Sequence, residues 1–319
     1  MKGKVNCIVS SMFFAVTIVL NSTIELSGGS LIWSSSLRFF FMVPFFFIIV
    51  LVRKNLLQLF TEMKKNLGPW FLWSFVGFVL FYAPITFAAA YGPSWLIAGT
   101  WQFTIVAGTL LTPFIISKRS TGKNTLLERP SIPRRALIIS LIIFIGILFI
   151  QSTQFEVLPI SMIIAGMVPV IIASFCYPLG NRKMMDVCKD QLDTFQRILG
   201  MTIASLPFWF ILAIYGYFSV GPPGIVQVKQ TFIVAVCSGV IATSLFFYAT
   251  QLTRHSSEQL SAVEATQSTQ VIFVMLGEIL LLGSPLPNGI ALFGIAIIIV
   301  GMVCHSLFSS RPALALKKV

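Results

Sequence analysis

LIWSSSLRFFFMVPFFFIIVLVRK, residues 31–54, holds the pattern that the rest of the chain repeats. Positions 31–52 form an apolar run broken by one charge, Arg38, and the run closes on Arg53-Lys54. A bilayer-spanning helix needs about 20 mostly apolar residues, so this stretch reads as one membrane span with a basic flank. Similar runs lie before it at 6–26 and after it at 69–91, 94–117, 136–152, 158–180, 197–219, 230–251, 262–283 and 288–308. A chain of 319 residues that is 56% hydrophobic and 10% charged is no ordinary soluble domain. The runs are continuous rather than alternating, which argues against a transmembrane β-barrel. The expected fold class is an all-α polytopic membrane protein with ten transmembrane helices. The start MKGK precedes an apolar run, but no small-x-small cleavage site follows Asn21, Ser22 and Glu25, so the first run reads as a span rather than a cleaved leader.

Charge gives the expected orientation. With Lys2 and Lys4 inside, the even-numbered loops carry Arg53, Lys54, Lys64 and Lys65, then Lys118, Arg119, Lys123, Arg129, Arg134 and Arg135, then Arg182, Lys183 and Lys189, then Arg254. Arg311, Lys317 and Lys318 follow the last span, and the odd-numbered loops hold only Lys229. The positive-inside rule then puts both termini in the cytoplasm of a multi-pass plasma-membrane protein, with a bacterial host expected. The net charge of +12 is accounted for in this way. Its expected partner is anionic membrane lipid rather than nucleic acid. Cys7, Cys176, Cys188, Cys237 and Cys304 have no metal-ligand spacing, and no cofactor or metal is expected. No P-loop, nucleophile triad or His/Asp cluster points to an enzyme or an ATP-driven pump.

An internal echo organises the spans. Phe81-Tyr82-Ala83 in the third matches Phe247-Tyr248-Ala249 in the eighth. Thr100-Trp101-Gln102 in the fourth matches Ser268-Thr269-Gln270 in the ninth, and Arg38 has a counterpart in Arg197. Five spans separate the matched elements, so the second copy enters the membrane from the opposite side, an inverted repeat of the kind found in secondary transporters. Residues 1–130 then hold helices 1–4 and a linker, 131–155 the fifth helix completing the first repeat, and 156–319 the second repeat, helices 6–10.

Val271-Ile-Phe-Val-Met-Leu-Gly277, Ile279-Leu-Leu-Leu-Gly283 and Ala291-Leu-Phe-Gly294-Ile-Ala-Ile-Ile-Ile-Val-Gly301 resemble the C-terminal helix pair of the drug/metabolite transporter superfamily, in its multidrug resistance efflux branch. Where members of that branch open the ninth span with Glu-Pro and close it with Leu-Gly-Glu, this chain has Thr269-Gln270 and Leu282-Gly283-Ser284. The resemblance implies two five-helix halves around a central path. Helices 1, 3, 4, 6, 8 and 9 line that path, and helices 5 and 10 lie at the periphery.

Charges inside the hydrocarbon region are expensive and usually functional. Glu278, flanked by Gly277 and Ile279, is a candidate for proton coupling or for binding a cation. Glu264 shares the same helix about four turns earlier and is either a second such site or a favourable charge at the helix start. Glu25 lies one turn from Asn21 and is the third candidate carboxylate. Arg38 is expected to find a counter-charge in Glu25 or Glu278, in a structural or gating role. Asn21, Tyr82, Trp101, Gln102, Tyr248, Gln267 and Gln270 supply aromatic faces and amides for a substrate cavity, or else for helix packing.

The function expected is secondary active transport, with proton-coupled efflux of a small organic or cationic compound by alternating access. The alternative is an importer or facilitator of a small metabolite such as a quaternary amine, amino acid or nucleoside. Ten helices form a complete path, so a monomer is the simplest unit, with a dimer left open.

Overall fold

The computed structural model describes residues 2–26, 29–91, 94–114, 117–121, 124–128, 131–152, 159–189, 191–254, 256–283 and 288–309. Helix covers each of the ten apolar stretches. The runs are α1 (Lys2–Leu26), α2 (Leu31–Val52), α3 (Leu56–Lys65), α4 (Leu67–Ser74), α5 (Leu80–Ala89), α6 (Ser94–Trp101), α7 (Phe103–Leu110) and α8 (Arg134–Ser152). Then come α9 (Ile160–Cys188), α10 (Thr194–Val220), α11 (Ile225–Val234), α12 (Thr243–Thr253), α13 (Ser257–Ala265), α14 (Thr269–Leu282) and α15 (Gly289–Ser309). Six helical runs are long and apolar enough to cross a membrane by length and composition: Gly3–Asn21, Leu31–Val52, Leu67–Ala89, Ile160–Cys188, Thr194–Val220 and Ile225–Thr253. Their exposed residues are mostly Leu, Ile, Val and Phe, as a lipid-facing surface requires. The chain is a multi-pass helical membrane protein.

Two of these runs are not uniform. A π-helical segment, Phe75–Val79, joins α4 to α5, and a longer one, Ala235–Ala242, joins α11 to α12. A π turn widens the helix and loosens its carbonyls. The Thr243 hydroxyl takes up one of them, donating to the Ser238 carbonyl at 2.9 Å. Breaks also fall in the fourth and ninth runs. Gln102 separates α6 from α7, and a 3-10 turn, Thr266–Ser268, separates α13 from α14.

Packing follows a regular scheme. α5 lies along α9, while α1 lies along α12 and the π segment before it. α6 and α7 pack on α9, while α14 packs on α1. α2 pairs with α10, and α8 pairs with α15 at one edge. Glycines permit the closest approaches. A Cβ on Gly77 would stand 3.1 Å from the Gly180 Cα, and one on Gly146 would stand 2.8 Å from the Gly294 carbonyl oxygen. Small-residue contacts of this kind bring membrane helices together without an apolar driving force.

The structure departs from the sequence reading at four places. Residues 56–65, read as loop, form the short helix α3, which ends in Lys64 and Lys65. Part of the 118–135 linker pairs as an antiparallel ribbon, β1 (Ser117–Thr121) with β2 (Asn124–Glu128), so the fold is not purely helical. The sixth helix continues past 180 to Cys188 and takes Arg182 and Lys183 out of the loop. Glu264 does not open its helix. Ser256 caps α13, its hydroxyl accepting from the Gln259 backbone N–H at 3.3 Å, and Glu264 lies about two turns further in.

Candidate functional site

A small, partly open cavity of about 30 Å³ lies among the helices of the bundle. Its lining comes from five runs: Phe14, Thr17 and Ile18 of α1, Phe81, Tyr82 and Ile85 of α5, Ile97 and Trp101 of α6, Ser238 of the second π segment, and Gln270 of α14. The wall is mainly aromatic and aliphatic, with a few hydroxyls and one amide. At one probe sphere per water, the space suits about two waters or one compact polar group.

The helix irregularities place these side chains. Beyond the π turn before α5, Tyr82 faces inward, and the π segment before α12 presents Ser238. The Tyr82 hydroxyl accepts a long hydrogen bond, 3.5 Å, from Asn21 Nδ2. Gln102 sits in the break between α6 and α7, donating through Nε2 to the Ala98 carbonyl at 3.1 Å. Several buried polar atoms at or near the cavity have no hydrogen-bond partner among the described residues: Thr17 Oγ1, Asn21 Oδ1, Gln102 Oε1, Gln267 Nε2 and Gln270 Oε1. Buried polar atoms are nearly always satisfied, so such a cluster marks a place where water or a ligand belongs.

Arg38 reaches the cavity wall from α2. It is 1% exposed. Its Nη2 donates to Ser238 Oγ at 3.1 Å, and its guanidinium lies 4.0 Å from the centre of the Tyr82 ring and 5.2 Å from that of Phe39. Arg38 Nε has no partner, and no ion pair to Arg38 occurs among the described residues. The side chains of Glu25 and Glu278, its expected counter-charges, lie outside the described residues. Arg197, the expected counterpart of Arg38, donates to the Phe247 carbonyl at 3.2 Å and lies 5.0 Å from that ring.

Towards the end of the bundle where α1 begins lies a buried ion pair that the sequence reading did not join. Arg182 Nη2 meets Glu264 Oε2 at 2.5 Å, and Nε meets Oε1 at 3.1 Å, a two-pronged contact with both side chains buried. The third nitrogen, Nη1, donates to the Gly108 carbonyl at 2.7 Å. One guanidinium therefore ties α9 to both α7 and α13. A Cβ at Gly108 would collide with the Glu264 carboxylate and stand 3.3 Å from Arg182 Nη2. The sequence signal was present: Arg182 follows an apolar run directly, and Glu264 is embedded in another.

Of the remaining candidates, Gln267 is buried in the 3-10 turn, while Tyr248 is 48% exposed and lies away from the cavity. In its place Phe247 is fully buried in the aromatic core, with Tyr177 and Phe78. A larger groove of about 870 Å³ opens on the other face of α5, along Val79, Ala83, Thr86 and Ala90. Among the described residues no cluster of His, Cys, Asp or Glu is arranged to hold a metal ion.

Known proteins resemble the chain over its whole length. It is 55% identical over 318 residues to the "Uncharacterized protein YjlA" of Bacillus subtilis (strain 168), covering 100% of this chain and 98% of that protein. It is 46% identical over 268 residues to the "Uncharacterized 42.1 kDa protein in intracellular alkaline protease 3'region" of Shouchella clausii, covering 84% of this chain and 70% of the other. A solved crystal structure at 11% identity superimposes with a TM-score of 0.70, covering 96% of this chain and 97% of that one, and so shares the fold. The family model described as "EmrE: Putative multidrug resistance efflux transporter" matches residues 1–311, and the chain belongs to that family.

Proposed function

We propose that the chain is a secondary active transporter that exports a small organic solute by alternating access, in exchange for protons. The observation that carries this reading is a polar-lined cavity within the bundle, with buried polar groups unsatisfied among the described residues, together with a buried ion pair between helices. A site within the bundle and a clasp that can open and close are what alternating access requires. All ten runs span the membrane in this reading, as a monomer. Both termini are cytoplasmic in this reading, on the alternation of Lys and Arg between the loops.

The inverted five-helix repeat is supported by the packing scheme. Each pairing maps onto another when the runs are shifted by five: third on sixth becomes eighth on first, and fourth on sixth becomes ninth on first. The π segments fall in the third and eighth runs, and the breaks in the fourth and ninth. The breaks favour Gln267 as the counterpart of Gln102. The same offset places Phe247, not Tyr248, opposite Tyr82.

Glu264 supplies the coupling. While ionised it holds Arg182, and the inner end stays shut. A proton arriving by way of the cavity neutralises the carboxylate and weakens the clasp. The inner end then opens, the proton leaves to the cytoplasm, and substrate enters. Reformation of the ion pair closes the path behind it. The test is flux in proteoliposomes with an imposed pH gradient. Export should rise with the gradient, and Glu264→Gln should remove that dependence. Flux indifferent to the gradient in the unaltered protein would leave only facilitated transport.

A further inference from the structure

Arg38 and Arg182 are equally buried, yet their surroundings differ. Arg182 has its full complement of charge, because Glu264 meets it with two oxygens. Arg38 has a serine hydroxyl and two aromatic rings among the described residues. A guanidinium keeps its charge under any physiological condition. In a membrane interior an uncompensated cation is costly, and ring faces and one hydroxyl recover only part of that cost.

The cavity in front of Arg38 completes the pattern. Ser238 accepts from Arg38, so its own proton is free to point into the cavity. Tyr82 accepts from Asn21 and likewise keeps its proton to donate. Thr17 Oγ1 lines the same space without a partner. Three hydroxyl donors therefore face a cavity backed by the positive charge of Arg38, and no acidic side chain lines it among the described residues. Around this polar patch stand Phe14, Phe81, Ile97 and Trp101. Arg197 does not repeat the arrangement, since it is bound to a backbone carbonyl and touches no side chain lining the cavity.

We propose that the central cavity binds the carboxylate of a small aromatic monoanion, with Arg38 as its counter-charge and Ser238, Thr17 and Tyr82 as hydrogen-bond donors. The aromatic wall takes the body of the molecule, and one positive charge matches one negative charge. A volume of about 30 Å³ admits the carboxylate alone, so the ring enters as the helices part. This rests on the reading of the cavity as the transported solute's site. It replaces a cationic cargo with an anionic one.

The test uses the full chain in lipid nanodiscs and three probes of one shape: phenylacetate, phenylacetamide and phenethylammonium. Binding is read by the fluorescence of the tryptophans, one of which, Trp101, lines the cavity. Phenylacetate is expected to bind at least about tenfold tighter than either of the others, as for a charge-assisted hydrogen-bonded group. Arg38→Gln should erase the preference and Arg38→Lys should keep part of it. If Arg38→Gln does not fold, Thr17→Val and Ser238→Ala should each weaken phenylacetate roughly threefold to tenfold with little change for the ammonium. Equal binding of the three, preference for the ammonium, or binding of none overturns the proposal. So does a preference for phenylacetate that emerges only in Glu25→Gln or Glu278→Gln, because a carboxylate would then already neutralise Arg38. Counterflow in liposomes separates the two ideas. Arg38-dependent binding without flux sinks the transport reading and leaves the site standing. Flux of the ammonium alone, with phenylacetate ignored, does the reverse.

Discussion

Replacing Glu264 by Leu should damage the protein more than replacing Arg182 by Met, although both remove the same ion pair. Glu264→Leu leaves a buried guanidinium that cannot shed its proton, with the Gly108 carbonyl at 2.7 Å as its remaining hydrogen-bond partner among the described residues. Breaking a buried pair in this way costs about 3–5 kcal/mol. Arg182→Met leaves a carboxyl that can take up a proton and become neutral. Its cost reduces to the lost hydrogen bonds and an unsatisfied buried acid, about 1–3 kcal/mol. The double variant removes both charges and keeps apolar volume, so it should recover most of the loss and fall nearer the unaltered protein than Glu264→Leu does. Thermal unfolding in detergent measures all three, and the double-mutant cycle isolates the coupling. Additive losses, or a milder effect for Glu264→Leu than for Arg182→Met, would show that Glu264 does not compensate Arg182.

Gly180→Ala should prevent the close contact of α5 and its π segment with α9, because a Cβ there falls on the backbone of Gly77; the expected result is a loss of folded yield at the overpacking level of about 1–3 kcal/mol, read by size-exclusion profile and melting temperature. Tyr82→Phe and Tyr248→Phe should differ: the first removes a hydroxyl from the cavity wall and should lower solute binding severalfold, whereas the second alters a half-exposed position and should leave binding and stability unchanged within about 0.5 kcal/mol.

Span positions were legible because bilayer thickness imposes one length and lipid one composition. Residues 31–52 needed nothing more to be read as a helix. The end of the sixth helix was not legible on the same rule. A window that treats every arginine as a boundary stops at Arg182, but the helix continues because Glu264, distant in sequence by 82 residues, neutralises that charge in space. The short helix 56–65 escaped for the opposite reason, since its mixed apolar and charged residues suit a surface rather than a bilayer interior. Tyr82, Trp101 and Gln270, picked out as residue types that membrane interiors use sparingly, line the cavity, whereas Tyr248 does not. Their inward or outward direction was open until the helix register was known. Tyr82 and Tyr248 occupy matching triplets, yet one is buried and the other half exposed. The eighth run holds a longer π segment than the third, and each extra residue in a wide turn rotates everything beyond it.

That rotation bears on the charge of the cargo. It brings Phe247 rather than a second tyrosine to the core, so the hydroxyls around the cavity come from Thr17, Tyr82 and Ser238. Arg38 stands behind two of those three. Had Tyr248 faced inward, the site would have been a near-symmetric aromatic cage, suited to a cation by ring faces on both sides. As built, it is lopsided, with donors and a positive charge on one wall and apolar rings on the other. Restoring symmetry by Phe247→Tyr should therefore not create cation binding, because the field of Arg38 still dominates a low-dielectric space. It should leave the binding of phenylacetate within about twofold, because Phe247 packs behind the cavity and does not line it. A gain in affinity for phenethylammonium in that variant would mean that aromatic faces, and not Arg38, set the preference of the cavity.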